Sequence, residues 1–575
     1  MDLQGGPTFE DLSIDDDLTQ LQRVVRYSSS SIALQRLVHV KMLAETMAAV
    51  GFEQSVKSVV PLIGPLAEDL EYVVRQHLGE QLDDIARFCR AAGKEAGYRL
   101  IIEVVLPTLA KLLGDSHPDV RQAAGESLVG VASLMKPLDL GHHVLTIVLQ
   151  LAHDDEQEEL RMTAAALLND LAEALGNDLC KQFVTPEMES LSEDPVFRVR
   201  KATALNLHKI CKVVGDAGIQ RLLPAYVRLT KDDVYRVRKA CADALVEMSN
   251  AVGAEASLRE LTPVFLNLVS DSSKIVRTVA LENLGRLIST LPGESVSEEL
   301  VRYFTGTAVE SMGDPSSDAD LRLYCAFSFP AVVVTIGPDR WGELRESFAA
   351  LLRDPSWSVR KTLSFSLHEV AKVLHPDDVE SDLVPAMEAF LRDMEDVRLG
   401  VIRHLADFFR EMAPPQRQKH LNVLVEILQT TSPFNWRLRE VLAQQLPRLA
   451  PLLTPDSVFF AVVPVAFGLL NDPVAVVRER TFEVHSPPCT HSTPHGASRF
   501  GHKVLPGREN PHTRTCRHCL TTCPLPPPTR RCLLTTSTRV SCVQEFVPSL
   551  AELARDSVVN VRIAMSRTLS NCPGA

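Results

Sequence analysis

The chain has 575 residues and a formal net charge of −13, from 73 acidic and 60 basic side chains. This negative charge disfavours broad binding to nucleic acids and to anionic membranes, so we expect neither partner. Apolar residues make up 45% of the chain and aromatic residues 5%. Such a balance suits helices that pack through Leu, Val and Ala, and no uninterrupted apolar run is long enough to span a membrane.

The first segment is predicted to be disordered. Residues 1–16 are rich in aspartate and lack the pattern of a signal peptide. Residues 17–50 are predicted to form an atypical helical pair with residues 28–31 as its turn. We expect this pair to cap the N-terminal end of the array that follows, since a stack of repeats needs a covered end.

An arginine that follows a branched apolar residue then recurs along the chain. The intervals are 38 to 46 residues, with one exception of 84 before the last arginine. A period of this size is typical of helical pairs of the HEAT and armadillo class. The sequence therefore predicts an all-α fold, an α-α superhelix (HEAT-repeat solenoid) of about 12–13 helical pairs, with the main solenoid over residues 17–483 and one further repeat nearer the C-terminus. The recurring positions are Arg75, Arg121, Arg161, Arg200, Arg238, Arg277, Arg322, Arg360, Arg398, Arg439, Arg478 and Arg562.

One repeat illustrates the expected geometry. Helix A is predicted near residues 222–230 and helix B from about Arg236 to Gly253, with Asp232 in the turn between them. Val237, Cys241, Ala244, Leu245, Met248 and Val252 recur at helical spacing and predict the buried stripe of helix B. Glycine is a natural residue to end such a helix.

Most repeats place an aspartate six residues before the arginine. We expect the Asp of one turn to meet the Arg of the next, forming a structural ladder that fixes the stacking of the repeats. An alternative is that the arginines bind an acidic partner. The predicted ladder residues are Asp115, Arg121, Asp194, Arg200, Asp232, Arg238, Asp271, Arg277, Asp354, Arg360, Asp472 and Arg478.

Residues 484–542 depart from this pattern. The segment holds six of the 12 cysteines and six of the 17 histidines, and it shows no helical period. We interpret it as a low-order insertion that resembles non-coding sequence read through, and a regulatory loop is an alternative. Cys516, Cys519 and Cys523 near two histidines permit a zinc site, but no second cysteine pair at finger spacing supports it. Residues 543–575 are predicted to form a final, truncated HEAT repeat.

Catalytic motifs are missing from the sequence. There is no P-loop, no GxSxG and no HExxH pattern. An iron-dependent hydroxylase built of HEAT repeats would need several His-Glu pairs, and the chain has one, His368 with Glu369. We therefore predict no enzyme activity, no cofactor and no metal site.

Several repeats resemble a known family. Residues 197–202 (Phe-Arg-Val-Arg-Lys-Ala), 237–243 (Val-Arg-Lys-Ala-Cys-Ala-Asp) and 284–290 (Leu-Gly-Arg-Leu-Ile-Ser-Thr) are similar to the regulatory subunits of protein phosphatase 4. Residues 396–402 and 435–440 resemble the scaffold A subunits of protein phosphatase 2A. The resemblance covers residues 20–483 and 543–570, and it does not extend to residues 484–542.

The resemblance implies a non-catalytic regulatory or scaffold subunit. It would bind the catalytic subunit of a serine/threonine protein phosphatase and position phosphoprotein substrates or adaptors. In such scaffolds the turns between helices A and B grip the catalytic subunit, and Trp and Arg are enriched at binding hot spots. The candidate partner-binding residues are Tyr235, Arg236, Trp357, Asn435, Trp436 and Arg437.

Two other interpretations of the array stay open. One is a karyopherin-like transport adaptor with an acidic concave face, and the other is a general protein-interaction scaffold. Outside residues 484–542 the cysteines are scattered, several of them on apolar helix faces, which suits reduced thiols. We expect a cytoplasmic protein, or one shared between cytoplasm and nucleus.

Overall fold

The computed structural model describes residues 14–15, 17–309 and 315–483. Every regular element in these ranges is a helix, and they contain no strand. The predicted all-α class of stacked helical pairs is thereby confirmed. The predictions for residues 484–542 and 543–575, and for nearly all of residues 1–16, lie outside the described residues.

The described chain falls into two compact units, which divide between Ile336 and Gly337. In each unit short helices A alternate with longer helices B. The helices of the first unit are Gln20–Tyr27, Ala33–Val40, Leu43–Val50, Phe52–Ser58, Val60–Leu66, Tyr72–Leu100, Leu106–Leu113, Pro118–Ala132, Pro137–Asp139, Thr146–Ala152, Glu158–Asp170, Ala172–Leu179, Thr185–Ser192, Phe197–Leu205, His208–Val214, Asp216–Leu229, Tyr235–Val252, Ala254–Ala256, Thr262–Val269, Lys274–Ile288, Glu298–Val309 and Pro315–Ile336. Those of the second unit are Trp341–Leu352, Trp357–Ala371, Pro376–Asp378, Val384–Leu391, Glu395–Arg403, Leu405–Glu411, Pro414–Lys419, Asn422–Thr430, Trp436–Leu449, Pro455–Ser457, Val463–Leu470 and Ala475–Glu483.

Many helices A open with one wider turn of π type. Five of these wide turns are followed directly by an α-helix whose second residue is proline. Proline donates no backbone hydrogen bond, and it clashes with the carbonyl one turn back, so the regular ladder cannot continue through it. The five wide turns are Ile101–Val105, Cys180–Val184, Ser257–Leu261, Val379–Leu383 and Val458–Val462.

The repeat around Tyr235–Val252 matches its prediction closely. Helix A runs from Asp216 to Leu229, earlier at its start than predicted, and helix B runs from Tyr235 to Val252. All six residues of the predicted stripe are buried. Gly253 follows helix B with φ of +81°, a left-handed conformation that favours glycine and ends the helix.

The helices B form the continuous part of the packing in the first unit. Helix Tyr235–Val252 packs against Phe197–Leu205 on one side and Lys274–Ile288 on the other. Within its own repeat, the fully buried Tyr226 of helix A donates from Oη to the carbonyl oxygen of Cys241, at 2.6 Å. This hydrogen bond ties the two helices of the pair together.

The N-terminal pair differs from its prediction. The turn at residues 28–31 is present, but the second half is broken into two helices, Ala33–Val40 and Leu43–Val50. Met42 stands between them with φ of −100° and ψ of 1°, outside the helical region.

One helix of the first unit is apolar enough to match a membrane span by length and composition. Its window Ala319–Ile336 has a mean hydropathy of 1.4, and 44% of that window is buried inside the structure. The helix packs against Lys274–Ile288 and Glu298–Val309 as a helix B of the array. Phe329, Val332 and Val333 fill the core there, so burial in a protein interior accounts for much of its apolar character.

Candidate functional site

The turns between helices A and B carry one repeated ionic motif. In the turn before Tyr235–Val252, Oδ1 of Asp232 accepts a hydrogen bond from the backbone N–H of Val234, at 2.9 Å. Arg238, on the first turn of helix B, donates from Nη1 back to the carbonyl oxygen of Asp232, at 2.7 Å. The carboxylate thus caps the turn, and the arginine closes it from the helix side.

The same arginine also reaches the next repeat. Nε and Nη2 of Arg238 donate to the two carboxylate oxygens of Asp271, at 2.6 and 2.9 Å. This bidentate geometry is the strongest form of a guanidinium–carboxylate contact. Seven such rungs occur among the described residues. They are Arg36–Asp69, Arg75–Asp115, Arg161–Asp194, Arg200–Asp232, Arg238–Asp271, Arg360–Asp393 and Arg439–Asp472.

The ladder has the opposite polarity to the predicted one. We expected each Asp to meet the Arg of the next turn, whereas each rung joins an Arg to the Asp of the following repeat. The reason is the direction of the arginine side chain. Arg238, for example, bonds to its own turn through Nη1 and extends Nε and Nη2 towards the turn of the following repeat. Hydrogen bonds from Arg238 lower the pKa of Asp271, although burial opposes the shift.

Four other predicted ladder residues contact the backbone of their own turn. Within the described ranges neither Arg121 nor Arg277 meets a carboxylate, and each donates to the carbonyl oxygen six residues earlier. Asp354 caps its turn through the N–H of Ser356, at 2.8 Å. Arg478 donates to the carbonyl oxygen of Asp472, at 2.6 Å.

Sequence reasoning missed two members of the ladder. Arg36 lies in the N-terminal pair and binds Asp69. It was missed although it stands 39 residues before Arg75 and so keeps the period. Asp393 stands five rather than six residues before Arg398, so the search pattern did not include it. It pairs with Arg360 all the same, at 2.6 Å.

The predicted partner-binding residues all lie where helix B begins, at the same turns. In the first unit Tyr235 is 37% exposed, and the guanidinium of Arg236 lies 5.9 Å from its ring centre. In the second unit Trp357 is 45% exposed, with Nζ of Lys361 5.4 Å from its ring centre. A cation over an exposed aromatic face is a surface feature that a protein partner can use.

The turn at residues 435–437 is more mixed. Asn435 is the N-cap of helix Trp436–Leu449, and its side chain accepts from the N–H of Leu438, at 3.3 Å. Trp436 is half-buried under the exposed Arg437, whose guanidinium lies 4.8 Å from the ring centre. Phe434, which was not predicted, is 93% exposed beside them. Asn435 therefore has a structural role, and the aromatic groups form the free surface.

The histidines and cysteines of the described residues are dispersed over the helices. They contain no group of three or more His, Cys, Asp or Glu side chains that could hold a metal ion. His368 stacks on His404 instead, with ring centres 3.9 Å apart. Cys89, Cys180, Cys211, Cys241 and Cys325 are buried free thiols, and burial raises the pKa of Cys89 to about 11. Cys516, Cys519 and Cys523 lie outside the described residues.

Comparison with known proteins agrees with the resemblance noted from the repeats. Residues 325–427 match the model of the protein phosphatase 4 regulatory subunit 1 middle domain, and residues 105–135 and 222–252 match the HEAT repeat. Serine/threonine-protein phosphatase 4 regulatory subunit 1 of Homo sapiens is 39% identical over 180 residues, which is 31% of this chain and 19% of that protein. Regulatory subunit 4 of Mus musculus is 21% identical over 500 residues, 80% of this chain and 56% of that protein. The matched part of the chain thus spans about a fifth of the first of these relatives and about half of the second.

Solved structures share the fold alone. Importin β in a polyethylene glycol crystal form superposes with a TM-score of 0.59 at 14% identity, over 81% of this chain and 65% of that one. Importin β in an ammonium sulfate form gives a TM-score of 0.58, also at 14% identity, over 96% of this chain and 68% of that one. Both likenesses identify a stack of helical pairs.

Proposed function

We propose that this chain, as a relative of the regulatory subunits of protein phosphatase 4, is a non-catalytic scaffold for a serine/threonine phosphatase. It would bind the catalytic subunit through the turns between helices A and B and position phosphoprotein substrates or adaptors beside it. The observation that carries the proposal is the match of residues 325–427 to the regulatory subunit 1 middle domain. The relatives are themselves named regulatory subunits.

The turns of the second unit support this assignment. Trp357 and Phe434 expose large aromatic surface in turns whose backbone is held by Asp354 and Arg439. A rigid turn that presents an aromatic side chain loses little conformational freedom on binding, which favours affinity. Catalysis would then belong to the partner, and the scaffold would act by position.

We further propose that the protein works in the cytoplasm, or in both cytoplasm and nucleus, without a nucleic-acid or membrane partner. The buried free thiols support a reducing compartment. The net charge of −13 supports the expectation about nucleic acid and anionic lipid.

A binding measurement with purified proteins tests the scaffold role. The full chain is immobilised, and the catalytic subunit of protein phosphatase 4 is passed over it in a surface plasmon resonance experiment. We expect saturable binding that is lost when both Trp357 and Trp436 are changed to Ala. Phe460→Ala serves as the matched control, because Phe460 is 75% exposed in the same unit but lies where a helix A begins. If the unaltered, helical chain does not bind, the proposed role is wrong.

A further inference from the structure

Arg398 differs from the other ladder arginines, because it is buried and meets no carboxylate among the described residues. In the seven rungs the arginine precedes its aspartate by 32, 33 or 40 residues. Nη2 of Arg398 instead lies 2.8 Å from Oγ1 of Thr430 and 3.4 Å from Oγ1 of Thr431, which are 32 and 33 residues further along. Two hydroxyl groups therefore stand where the other rungs hold a carboxylate.

The charge of Arg398 is buried there. The residue is only 6% exposed, and its Nε is a buried donor with no hydrogen-bond partner. Burial lowers the pKa of Arg398, and only the more distant Glu395 and Glu426 oppose that shift. The carbonyl oxygens of Ile427 and Thr430, at the C-terminal end of their helix, stabilise the cation in part. A buried guanidinium without a counter-charge is nevertheless costly, so the rung is electrostatically incomplete.

Thr430 lies at the surface. Thr430 is exposed and is the last residue of helix Asn422–Thr430, and the chain leaves the helix at Thr431 in an extended conformation. Its Oγ1 donates to the carbonyl oxygen of Glu426, at 2.7 Å, while it accepts from Arg398. The exposed Pro433 and the 93% exposed Phe434 follow in the turn. An enzyme can thus reach this hydroxyl after only the end of the helix frays.

We propose that Thr430 is a phosphorylation site, and that the phosphate completes the rung with Arg398. A protein kinase would transfer the γ-phosphoryl group of ATP to Oγ1. The bond from phosphorus to the β,γ-bridging oxygen breaks, the Oγ1–phosphorus bond forms, ADP leaves, and the hydroxyl proton passes to the kinase's base.

The phosphate would have a second cation within reach. Arg392 lines the same small cleft as Thr430 and Glu426. Glu426 opposes a new negative charge, but its carboxylate already lies 3.8 Å from Nε of Arg392. A phosphothreonine next to two arginines gains charge-assisted hydrogen bonds of the kind that order a chain segment.

Mass spectrometry tests whether the modification occurs. The full chain is expressed in cultured animal cells treated with a serine/threonine phosphatase inhibitor, purified and digested with trypsin. Residues 420–437 form one tryptic peptide that contains Thr430, Thr431 and Ser432. We expect fragment ions that place a phosphate on Thr430. An unmodified peptide, or a phosphate confined to Thr431 or Ser432, would overturn the proposal.

Hydrogen exchange tests whether a charge at this position completes the rung. Thr430→Asp in the purified full chain should slow amide exchange over residues 420–435 by about three- to five-fold, because the new pair resists local opening. Gln429→Asp is the matched control, since it adds the same charge to the same helix end one residue away and should give no protection. The gain should vanish when Thr430→Asp is combined with Arg398→Gln. Equal protection from both aspartates, or none from either, contradicts the inferred rung.

Discussion

Arg200 holds both carboxylate oxygens of Asp232, from Nε at 2.6 Å and from Nη2 at 3.1 Å, although the two residues belong to consecutive repeats. The arginine side chain is 19% exposed and the aspartate 9%. Arg238 also donates to the backbone carbonyl oxygen of Asp232, so this aspartate is contacted by an arginine of the preceding repeat and by one of its own.

Breaking this rung should loosen two repeats locally. Arg200→Met leaves a largely buried carboxylate with fewer donors, at a cost of about 2 kcal/mol. We expect amide exchange over residues 194–245 to speed up by roughly 30-fold, measured by mass spectrometry. Arg198→Ala is the control, because Arg198 forms a more exposed pair with Glu158 and its loss should cost about 0.5 kcal/mol or less. Equal effects of the two substitutions would contradict a special role for the rung.

The backbone conformation of Gly253 predicts that alanine destabilises the protein there but not at Gly64. Gly253→Ala forces a side chain into a backbone with φ of +81° and should cost about 1–2 kcal/mol. Gly64→Ala serves as the control within the same unit. Gly64 lies in helix Val60–Leu66, and a Cβ added there would meet no atom within 4 Å. That substitution should be neutral or stabilise by about 0.5–1 kcal/mol. Urea denaturation followed by circular dichroism compares the two.

A buried hydrogen bond gives the third prediction. Tyr226→Phe removes the donor to the carbonyl of Cys241 and leaves a fully buried acceptor without it. We expect a loss of about 1–2 kcal/mol with no change in helix content. Exchange over Asp216–Leu229 and Tyr235–Val252 should rise together, because the bond joins these helices. A rise confined to one of them would show that the hydroxyl does not couple the pair.

Stability of the second unit should depend on pH through His404. Burial, with a contribution from the stacked His368, lowers the pKa of His404 to about 4. The unfolded chain, with a histidine pKa near 6.5, binds more protons below that pH, so this stability is complete above about 6.5 and is lost as the pH falls towards 4. We expect His404→Gln to reduce the total change in the free energy of unfolding across that pH window by an amount of order 1–2 kcal/mol.

The measurement for His404 is urea denaturation at pH 7.0, 5.5 and 4.5. His208 and His368 also have lowered pKa values, so a residual slope should persist in the variant. Asp271 of the ladder has a pKa lowered below the ordinary carboxyl range by its hydrogen bonds with Arg238, and it loses its stabilisation only at still lower pH. An unchanged slope between pH 4.5 and 7 would show that His404 does not govern it.

Capture of the phosphatase should depend on Trp436. Trp436→Ala removes a large aromatic surface under Arg437 and should weaken binding of the catalytic subunit by at least about 10-fold, as is usual for a hot-spot residue. Far-ultraviolet circular dichroism should be unchanged, and Phe460→Ala should bind normally. Unchanged affinity for the Trp436 variant would remove this turn from the proposed binding surface.

The sequence predicted the repeat well because its period and its apolar stripe report the same packing. The six stripe residues from Val237 to Val252 are buried because each neighbouring helix B presents the same face. The polarity of the ladder could not be predicted from spacing, since an Asp six residues before an Arg permits contact in either direction. Only the extension of Arg238 over Asp271 decides between them.

Other features lacked a distinct local signal. Asn435 is a polar residue in an interhelical turn and was predicted to bind a partner, but its side chain caps its own helix. The wide turns before Pro107 and Pro263 arise because proline has no backbone N–H to donate. They leave the spacing of apolar residues unchanged, so that spacing does not reveal them. Thr430 stands out only once Arg398 is seen to lack a carboxylate, because a threonine at a helix end is common.

The rungs make the repeats interchangeable. A repeat that bears both ladder residues offers an aspartate to the repeat before it and an arginine to the repeat after it, as Asp232 and Arg238 do. Duplicating or deleting such a repeat joins one intact arginine to one intact aspartate again. A chain of this kind can therefore change length by whole repeats during evolution without leaving a charge unpaired at the new junction.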